Sequence, residues 1–204
     1  MKSKLRLLIG TRNKGKIREI KALFKNLPIK FISLAQFKHV PPTKETGRTY
    51  QANAEKKALV LARITPVRLT GELVLAEDSG IEVKALGGRP GIYSARYSGA
   101  GATDEKNNAK LLKELNGLPP SRRQARYRSV VVLANQKGIL FSATGTCAGR
   151  IATELKGKNG FGYDPLFIPT GYTKTFGQLP IKIKHRISHR ARAIRKLINK
   201  ISNY

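Results

Sequence analysis

The sequence predicts an α/β fold built on a mixed sheet, and three observations support this prediction. Apolar residues make up 40% of the 204-residue chain, which is enough for a sizeable core. Residues 4–27 follow the order strand, polar loop and helix. Further along, the runs 129–134 and 139–146 flank the turn NQKG, a pattern typical of an antiparallel hairpin. Strand–helix alternation combined with a hairpin predicts parallel and antiparallel strands in one sheet.

The first part of the chain alternates between short strands and helices. KLRLLIG (4–10) and PIKFISL (28–34) are predicted strands, and the polar turn TRNKGK (11–16) follows the first of them. Apolar residues then recur at helical spacing, at Ile17, Ile20, Leu23, Phe24 and Leu27. A second helix is predicted over residues 49–63, with an apolar face formed by Tyr50, Ala54, Ala58 and Leu61.

The middle of the chain carries a strand, a loop and a capped helix. Residues 69–76 form the predicted strand, which we expect to end in a turn at EDSG (77–80) before a short alternating piece. The Gly- and Pro-rich segment 87–99 is typical of an ordered loop. Thr103 can cap a helix over residues 104–116.

The C-terminal part closes with one predicted helix. GKNG (157–160) indicates a turn, and Ser188 can cap a last helix whose apolar stripe is Ile194, Leu197, Ile198 and Ile201. The length fits one catalytic domain over residues 1–204, either undivided or with two lobes around a substrate cleft.

The chain carries 40 Lys and Arg residues against 12 Asp and Glu, a net charge of +28. This charge predicts a positive field that attracts polyanions such as nucleic acid, anionic membranes or nucleotides. The alternative is a compositional bias that merely enriches the surface in Lys and Arg. The basic residues are dispersed along the sequence, which favours that alternative over a dedicated nucleic-acid stripe.

Composition also limits the compartment. No run of 18 apolar residues is present, so we expect no membrane span. The N-terminal sequence MKSKLRLLIG has too short an apolar part for a signal peptide. Cys147 is the only cysteine, which rules out an internal disulfide and favours a reducing, cytoplasmic location.

Two segments before residue 100 have the residue types of a phosphate and metal site. TRNKGK places lysines and a hydroxyl at a helix start, which suits a phosphate chain, although an ordinary polar turn would look the same. Four of the twelve acidic residues fall between positions 72 and 82, with Glu77 and Asp78 adjacent. Together with Glu45 on a separate loop, Asp78 could hold a hard cation such as Mg²⁺. The alternative is a turn with Glu77 exposed to solvent.

Two later segments could recognise a nucleoside. FGYDP (161–165) offers Phe161 or Tyr163 as a ring that stacks on a base, or else as core residues. KHRISHR (184–190) supplies cations around a helix N-terminus, where they oppose the helix macrodipole. They could bind purine keto oxygens and phosphates, or simply form a basic helix end.

Taken in order, these segments resemble the inosine triphosphate pyrophosphatase family of non-standard purine nucleotide pyrophosphatases. The resemblance runs from Leu7 to Leu197 and rests on five blocks: TRNKGKIREI, ETGRTYQANAEKKA, LAEDSGIEVKALGGRPGIYSARYSG, NGFGYDPLF and ISHRARA. It implies an elongated, twisted mixed sheet flanked by helices around a central cleft. It also implies a homodimer that uses Mg²⁺ to hydrolyse ITP, dITP and XTP to the monophosphate and pyrophosphate.

The resemblance also implies residue roles. Asp78 would accept a proton from the attacking water, and Glu45 and Asp78 would bind the metal. The implied substrate-binding residues are Thr11, Arg12, Asn13, Lys14, Gly15, Lys16, Ser79, Phe161, Gly162, Tyr163, Asp164, Lys184, His189 and Arg190.

Some positions depart from the family pattern. Lys84 and Ala148 stand where acids are frequent, and LPIKIKHRISHR replaces a segment that is commonly acid-rich. Lys184 aligns with the family's lysine by its spacing to Ser188, with Lys182 as the alternative.

Three other functions remain open: a nucleic-acid-binding protein, a catalytically degenerate nucleotide-binding dimer, and a related enzyme that releases phosphate.

Overall fold

The structure, a computed structural model, describes residues 5–34, 37, 40, 42–64 and 73–201. Six strands form one sheet in the order β2-β1-β3-β4-β5-β6. They are β1 Leu5–Ile9, β2 Ile29–Ser33, β3 Leu73–Val83, β4 Gln124–Asn135, β5 Gly138–Ile151 and β6 Phe167–Pro169. β1 is parallel to β2 and β3, whereas β5 is antiparallel to β6. The two-residue link between the neighbours β4 and β5 allows only antiparallel pairing. The predicted mixed α/β sheet is therefore confirmed.

Helices flank the sheet, and capping side chains start most of them. Their bounds are α1 Lys14–Leu23, α2 Tyr50–Arg63, α3 Asp104–Glu114, α4 Ile181–Ile187 and α5 His189–Ile201. Asn13, Thr49 and Thr103 each accept a hydrogen bond from a backbone N–H three residues on. Ser188 does the same for Ala191 N at 3.2 Å, as its position before the last helix predicted. None of these helices is long and apolar enough to cross a bilayer, a statement that covers the described ranges only.

The described residues fall into two compact units. The first is drawn from the stretches 1–78, 129–144 and 193–204, and the second from 79–128 and 145–192. Each unit has its own apolar core. The first includes Leu7, Ile9, Ile20, Phe24, Leu75, Val131, Leu133 and Ile194. The second includes Ile81, Leu111, Leu115, Tyr127, Leu166, Phe167 and Phe176. The expectation of a single catalytic domain, undivided or with two lobes, stays a prediction.

The turn predicted at EDSG is wrong. β3 runs without interruption from Leu73 to Val83, so Glu77 and Asp78 lie inside an 11-residue strand. Asp and Ser favour turns because their side chains bond to the local backbone, and Gly favours them because it adopts positive φ without steric cost. Here Asp78 bonds to α2 instead, through Asn53 and Lys57. Tertiary partners thus override the local preference. Residues 69–72 of the predicted strand lie outside the described residues.

One helix was missed in the sequence. Residues 181–187 form the short helix α4 immediately before α5, starting after Pro180. The helix has seven residues, too few for a clear hydrophobic period, and its basic residues suggested an exposed segment. Its formation buries Lys184, which is 2% exposed.

Candidate active site

The central feature of the first unit is the pair of acidic residues on β3. Glu77 and Asp78 are 2% and 4% exposed, so the alternative of a solvated Glu77 is wrong. As neighbours in a strand, their side chains point to opposite faces of the sheet. Asp78 Oδ2 accepts a hydrogen bond from Asn53 Nδ2 at 3.1 Å. Asp78 Oδ1 lies 3.4 Å from Lys57 Nζ. The carboxylate is therefore held at both oxygens by helix α2.

Lys57 connects two acidic groups that are far apart in sequence. Its Nζ lies 2.7 Å from Glu45 Oε1 and 3.4 Å from Asp78 Oδ1, and it also donates to the Glu77 carbonyl at 3.0 Å. Asn53 and Lys57 are one helical turn apart, so α2 presents both to β3. The Lys57 ammonium thus contacts both carboxylates. Glu45 and Asp78 are therefore close enough to interact with one positive charge.

Burial sets the proton affinity of Asp78. Loss of solvation raises the pKa of its carboxyl above the ordinary value of 3.8. Lys57 and Lys16 act in the opposite direction, Glu45 adds to the rise, and the Asn53 hydrogen bond lowers the pKa slightly. Asp78 is therefore a stronger base than an exposed aspartate. A raised pKa on a buried carboxyl is typical of groups that transfer protons.

Glu77 positions a lysine of the TRNKGK segment. Ser129 Oγ donates to Glu77 Oε1 at 2.6 Å, and Glu77 Oε2 lies 3.9 Å from Lys16 Nζ. Lys16 sits in the first turn of α1, and its own N–H donates to the Asn13 cap at 2.9 Å. Glu77 therefore contacts the segment predicted to bind phosphates, a contact that the sequence did not indicate.

The TRNKGK segment lies between β1 and α1, as predicted. Asn13 N donates to Thr11 Oγ1 at 3.2 Å, and Lys14 and Gly15 open the helix. The backbone N–H groups of this first turn have the positive end of the helix dipole behind them. A cavity of about 180 Å³ is lined by Thr11, Arg12, Glu45 and Lys57, among others. The segment thus shares a cavity with one of the carboxylates.

The donor set fits a hard divalent cation through two carboxylates. No group of three or more His, Cys, Asp or Glu side chains close enough to hold a metal is found in the described part of the chain. Glu45 and Asp78 each offer carboxylate oxygens, and both contact the Lys57 ammonium. Mg²⁺ characteristically binds through one or two carboxylates and completes its shell with water and substrate phosphates.

The second unit has a cluster of an aromatic ring and cations. Lys184 Nζ forms an ion pair with Asp164 Oδ2, and these side chains are 3% and 1% exposed. The same Nζ lies 4.6 Å from the centre of the Phe161 ring, and Phe161 N donates to Asp164 Oδ2 at 2.8 Å. Lys182 is exposed. The structure therefore brings Lys184, and not Lys182, to Phe161 and Asp164.

Residues of α5 contact the same cluster. Arg190 is 1% exposed, its guanidinium carbon lies 5.5 Å from the Phe161 ring centre, and its Nη2 donates to Ser79 Oγ at 3.3 Å. His189 stacks on Tyr127, with ring centres 4.5 Å apart and planes at 8°. Arg190 and Ser79 thus belong to the Phe161 cluster, and His189 is oriented by an aromatic partner.

The two aromatic residues of FGYDP have different surroundings. Tyr163 is buried in the core of the second unit, and its hydroxyl donates to Ser94 O at 2.8 Å. Phe161 remains half-buried. Gly162 is tied by its N–H to Asp104 Oδ2 at 2.7 Å. At Gly160, a Cβ would lie 1.9 Å from Asp164 Oδ2, so only glycine allows this turn. Phe161 is therefore the ring that can stack on a ligand.

Sequence reasoning missed Asn53, Lys57 and the role of Glu77. One signal for the first two was present. Both lie on the buried face of α2 beside Ala54 and Ala58, where apolar residues are expected. A lysine and an amide on such a face need a polar partner in the interior. The contact of Glu77 with Ser129 spans 52 residues and left no such signal.

The fold has close counterparts among solved structures. The Ham1 protein of Staphylococcus aureus superposes with a TM-score of 0.83 at 36% identity, covering 97% of this chain and 98% of that chain. A HAM1 protein from Coxiella burnetii gives a TM-score of 0.85 at 36% identity, covering 98% and 100%. The architecture is thus that of the Ham1 proteins.

Sequence comparisons place the chain in the same group. The Ham1 family profile matches residues 7–200, and the chain belongs to this family. It is 45% identical over 192 residues to a dITP/XTP pyrophosphatase of Desulforamulus reducens, covering 94% of this chain and 93% of the relative. It is 46% identical over 189 residues to one from Geobacter sulfurreducens, covering 93% and 92%. The family resemblance predicted from the sequence is confirmed.

Proposed function

We propose that the protein is a nucleoside triphosphate pyrophosphohydrolase that hydrolyses dITP, ITP and XTP to the monophosphate and pyrophosphate. The observation that carries this proposal is the buried Asp78, held by Asn53 and Lys57 with its pKa raised. Relatives that align over more than nine-tenths of their length are dITP/XTP pyrophosphatases. Such an enzyme removes damaged purine nucleotides from the precursor pool.

Asp78 is the proton acceptor for the attacking water. Hydrolysis at the α-phosphorus needs a base that is oriented and ionised when the water attacks. Asn53 and Lys57 fix the orientation of the carboxylate, and Lys57 and Lys16 favour its ionised form. Burial keeps its basicity higher than that of an exposed aspartate.

Residues of the TRNKGK segment bind the triphosphate. Phosphate oxygens accept hydrogen bonds from backbone N–H groups at a helix start and from lysine side chains. Lys14 is exposed at the start of α1, and Lys16 is oriented by Glu77. Thr11, Arg12, Asn13 and Gly15 complete the segment. These cations offset the charge on the departing pyrophosphate.

Glu45 and Asp78 are the residues that would hold Mg²⁺. An ion bound there would neutralise negative charge on the phosphates. Lys57 contacts both carboxylates, which supports the proposal that Glu45 and Asp78 would hold one cation together. Mg²⁺ dependence is part of the proposal.

The Phe161 cluster recognises the base. Phe161 offers a ring face, and Lys184, His189 and Arg190 offer donors for a purine keto oxygen. Ser79, Gly162, Tyr163 and Asp164 position these groups. Hypoxanthine and xanthine have a C6 keto oxygen, whereas adenine has an amino group there. Opposing two donors in a closed pocket costs roughly 1–3 kcal/mol, which disfavours adenine.

The proposal extends to the assembly and the compartment. The family resemblance supports a homodimer, which size-exclusion chromatography with light scattering tests directly. A chain whose single Cys147 is buried fits a reducing, cytoplasmic location, which fractionation of cells tests.

One assay tests the activity. The protein is incubated with dITP, XTP and each standard dNTP, with and without Mg²⁺, and the product is identified as pyrophosphate or phosphate. We expect pyrophosphate from dITP and XTP, only with Mg²⁺. No turnover of either substrate contradicts the proposal and favours a binding protein, and release of phosphate favours a related nucleotide phosphatase.

A further inference from the structure

Helices α1 and α5 cover the same face of the sheet in the first unit. Leu7 and Ile9 are two residues apart in β1, so their side chains lie on the same face of the sheet. Both belong to the core that contains Ile20 of α1 and Ile194 of α5. Both helices therefore pack their apolar sides on one layer of strands. The sides of α1 and α5 that face away from these strands carry the exposed residues of both helices.

That outer surface is almost wholly cationic. The exposed residues of α1 are Lys14, Arg18 and Lys21, and the exposed Lys25 follows the helix. In the part of α5 that belongs to this unit, the exposed residues are Arg195, Lys196, Asn199 and Lys200. Neither helix exposes an acid, because the only one they contain, Glu19, is 1% exposed. Leaving aside Lys14 of the phosphate segment, we call Arg18, Lys21, Lys25, Arg195, Lys196 and Lys200 the basic face.

This concentration is not a uniform property of the chain. Helix α2 exposes Ala52, Lys56, Val60 and Arg63, a mixture of apolar and basic residues. Helix α3 of the second unit exposes acidic residues in its first turn and lysines later. A compositional bias alone would load all helices with cations to a similar degree. The fold thus gathers basic residues that are dispersed in sequence.

We propose that the basic face binds the phosphate backbone of nucleic acid. Six exposed cations on or immediately after two helices whose described residues expose no acid suit a dense line of phosphates. Binding to a membrane surface is less well supported, because interfacial helices insert a free apolar side into the lipid. Here the apolar sides of α1 and α5 are packed in the core. The binding is independent of base sequence because lysine and arginine contacts to phosphates carry no sequence information.

The size of the face sets an expected salt dependence. Each phosphate neutralised on duplex DNA contributes about −0.9 to the slope of log K against log salt. If all six cations of the face make such contacts, the slope is about −5, and affinity falls about 10³-fold between roughly 50 and 200 mM salt. A titration over this range therefore measures how many of the six take part.

The test compares two variants of equal net charge. The first replaces Arg18, Lys21, Lys25 and Lys200 with Gln. The matched control replaces Lys84, Lys113, Arg122 and Lys174, which are exposed cations of the second unit, with Gln. Fluorescence anisotropy measures binding to DNA and RNA duplexes of about 20 base pairs across the salt range. We expect the face variant to bind at least about tenfold more weakly than the unaltered protein. Its slope of log K against log salt should be less negative by about 3 to 4. The control should change by less than about twofold.

Three results overturn the proposal. One is equal loss of affinity in both variants, which assigns binding to total charge. Another is no salt-sensitive duplex binding by the unaltered protein. The third is face-dependent binding to vesicles of anionic lipid in the absence of duplex binding. If the fourfold variant does not fold, Lys21→Gln with Lys200→Gln is expected to lower the slope by about 2. Turnover of dITP is measured in parallel and should be unchanged, since no face residue is assigned to the proposed active site.

Discussion

The residues around Asp78 and the Phe161 cluster each contain a buried carboxylate beside a lysine, yet the surroundings of the two carboxylates differ. Asp78 shares Lys57 with Glu45, whose side chain is 29% exposed. Asp164 faces Lys184 in a pair that is 3% and 1% exposed and is fixed further by the Phe161 N–H. Solvent therefore reaches one acid of the first arrangement, whereas both members of the second are shielded from it. The same kind of ion pair thus has a partly open environment in one unit and a closed one in the other, which agrees with the proposed catalytic role of Asp78 and the proposed recognition role of Lys184.

The largest effect on the first cluster should come from Asp78→Asn. The amide still accepts from Asn53, and Lys57 keeps Glu45 and the Glu77 carbonyl, so the fold is preserved. Loss of a general base lowers kcat by about 10² to 10⁴-fold. Steady-state kinetics with dITP measure this, with Glu82→Gln on the same strand as the control. A variant that retains full activity would show that another group accepts the proton.

Asp164→Asn should instead lower stability. Removing the carboxylate leaves the Lys184 charge buried without its acidic partner, which costs about 3–5 kcal/mol in the free energy of unfolding. Urea unfolding measures the change. Glu154→Gln breaks the exposed pair with Lys156 in the same unit and should cost less than about 1 kcal/mol. If both substitutions lowered stability equally, the Asp164–Lys184 pair would not be an important stabilising contact of the Phe161 cluster.

A smaller effect should distinguish Lys57 from its exposed neighbour Lys56 in the pH profile of kcat/KM. The raised pKa of Asp78 means that kcat/KM falls with decreasing pH at a higher pH than an exposed aspartate would give. Lys57 is the main cation that lowers this pKa, so Lys57→Met should move the acidic limb to still higher pH. Below the pKa of the free enzyme the base is protonated and inactive. Lys56→Met, which alters an exposed neighbour on α2, should leave the profile in place.

The folded state also binds this proton more tightly than the unfolded chain. The Asp78 contribution therefore favours folding at low pH and is lost as pH rises from 3.8 through the raised pKa. Protonation of Asp78 thus stabilises the folded state but removes the proposed general base. The proposed catalytic role requires the ionised carboxylate, which burial disfavours.

The smallest effect should come from Tyr163→Phe. This change removes the hydroxyl that donates to Ser94 O, which costs about 0.5–1.5 kcal/mol of stability. The KM for dITP should remain unchanged because the Tyr163 ring lies in the core. Phe161→Leu should raise KM, since it removes the half-buried ring that is proposed to stack on the base. A rise in KM for Tyr163→Phe alone would reverse the assignment of the stacking residue.

The sequence by itself determined the elements that depend on local periodicity and capping. The helix after TRNKGK, the helix capped by Thr49 and the 129–146 hairpin all lie where spacing placed them. It also determined the family, because five blocks occur in order along the chain. The same blocks identify Asp78, Lys16 and Glu45 as candidate site residues.

Only the tertiary structure decided which of those residues meet and what surrounds them. It placed EDSG inside a strand, brought Lys57 between Glu45 and Asp78, and joined Glu77 to Ser129 across 52 residues. It also brought Lys184, and not Lys182, to Asp164 and Phe161, and it buried Tyr163 in the core. Local sequence fixes backbone preference and side-chain period, whereas desolvation and ion pairing depend on neighbours that only the folded chain supplies.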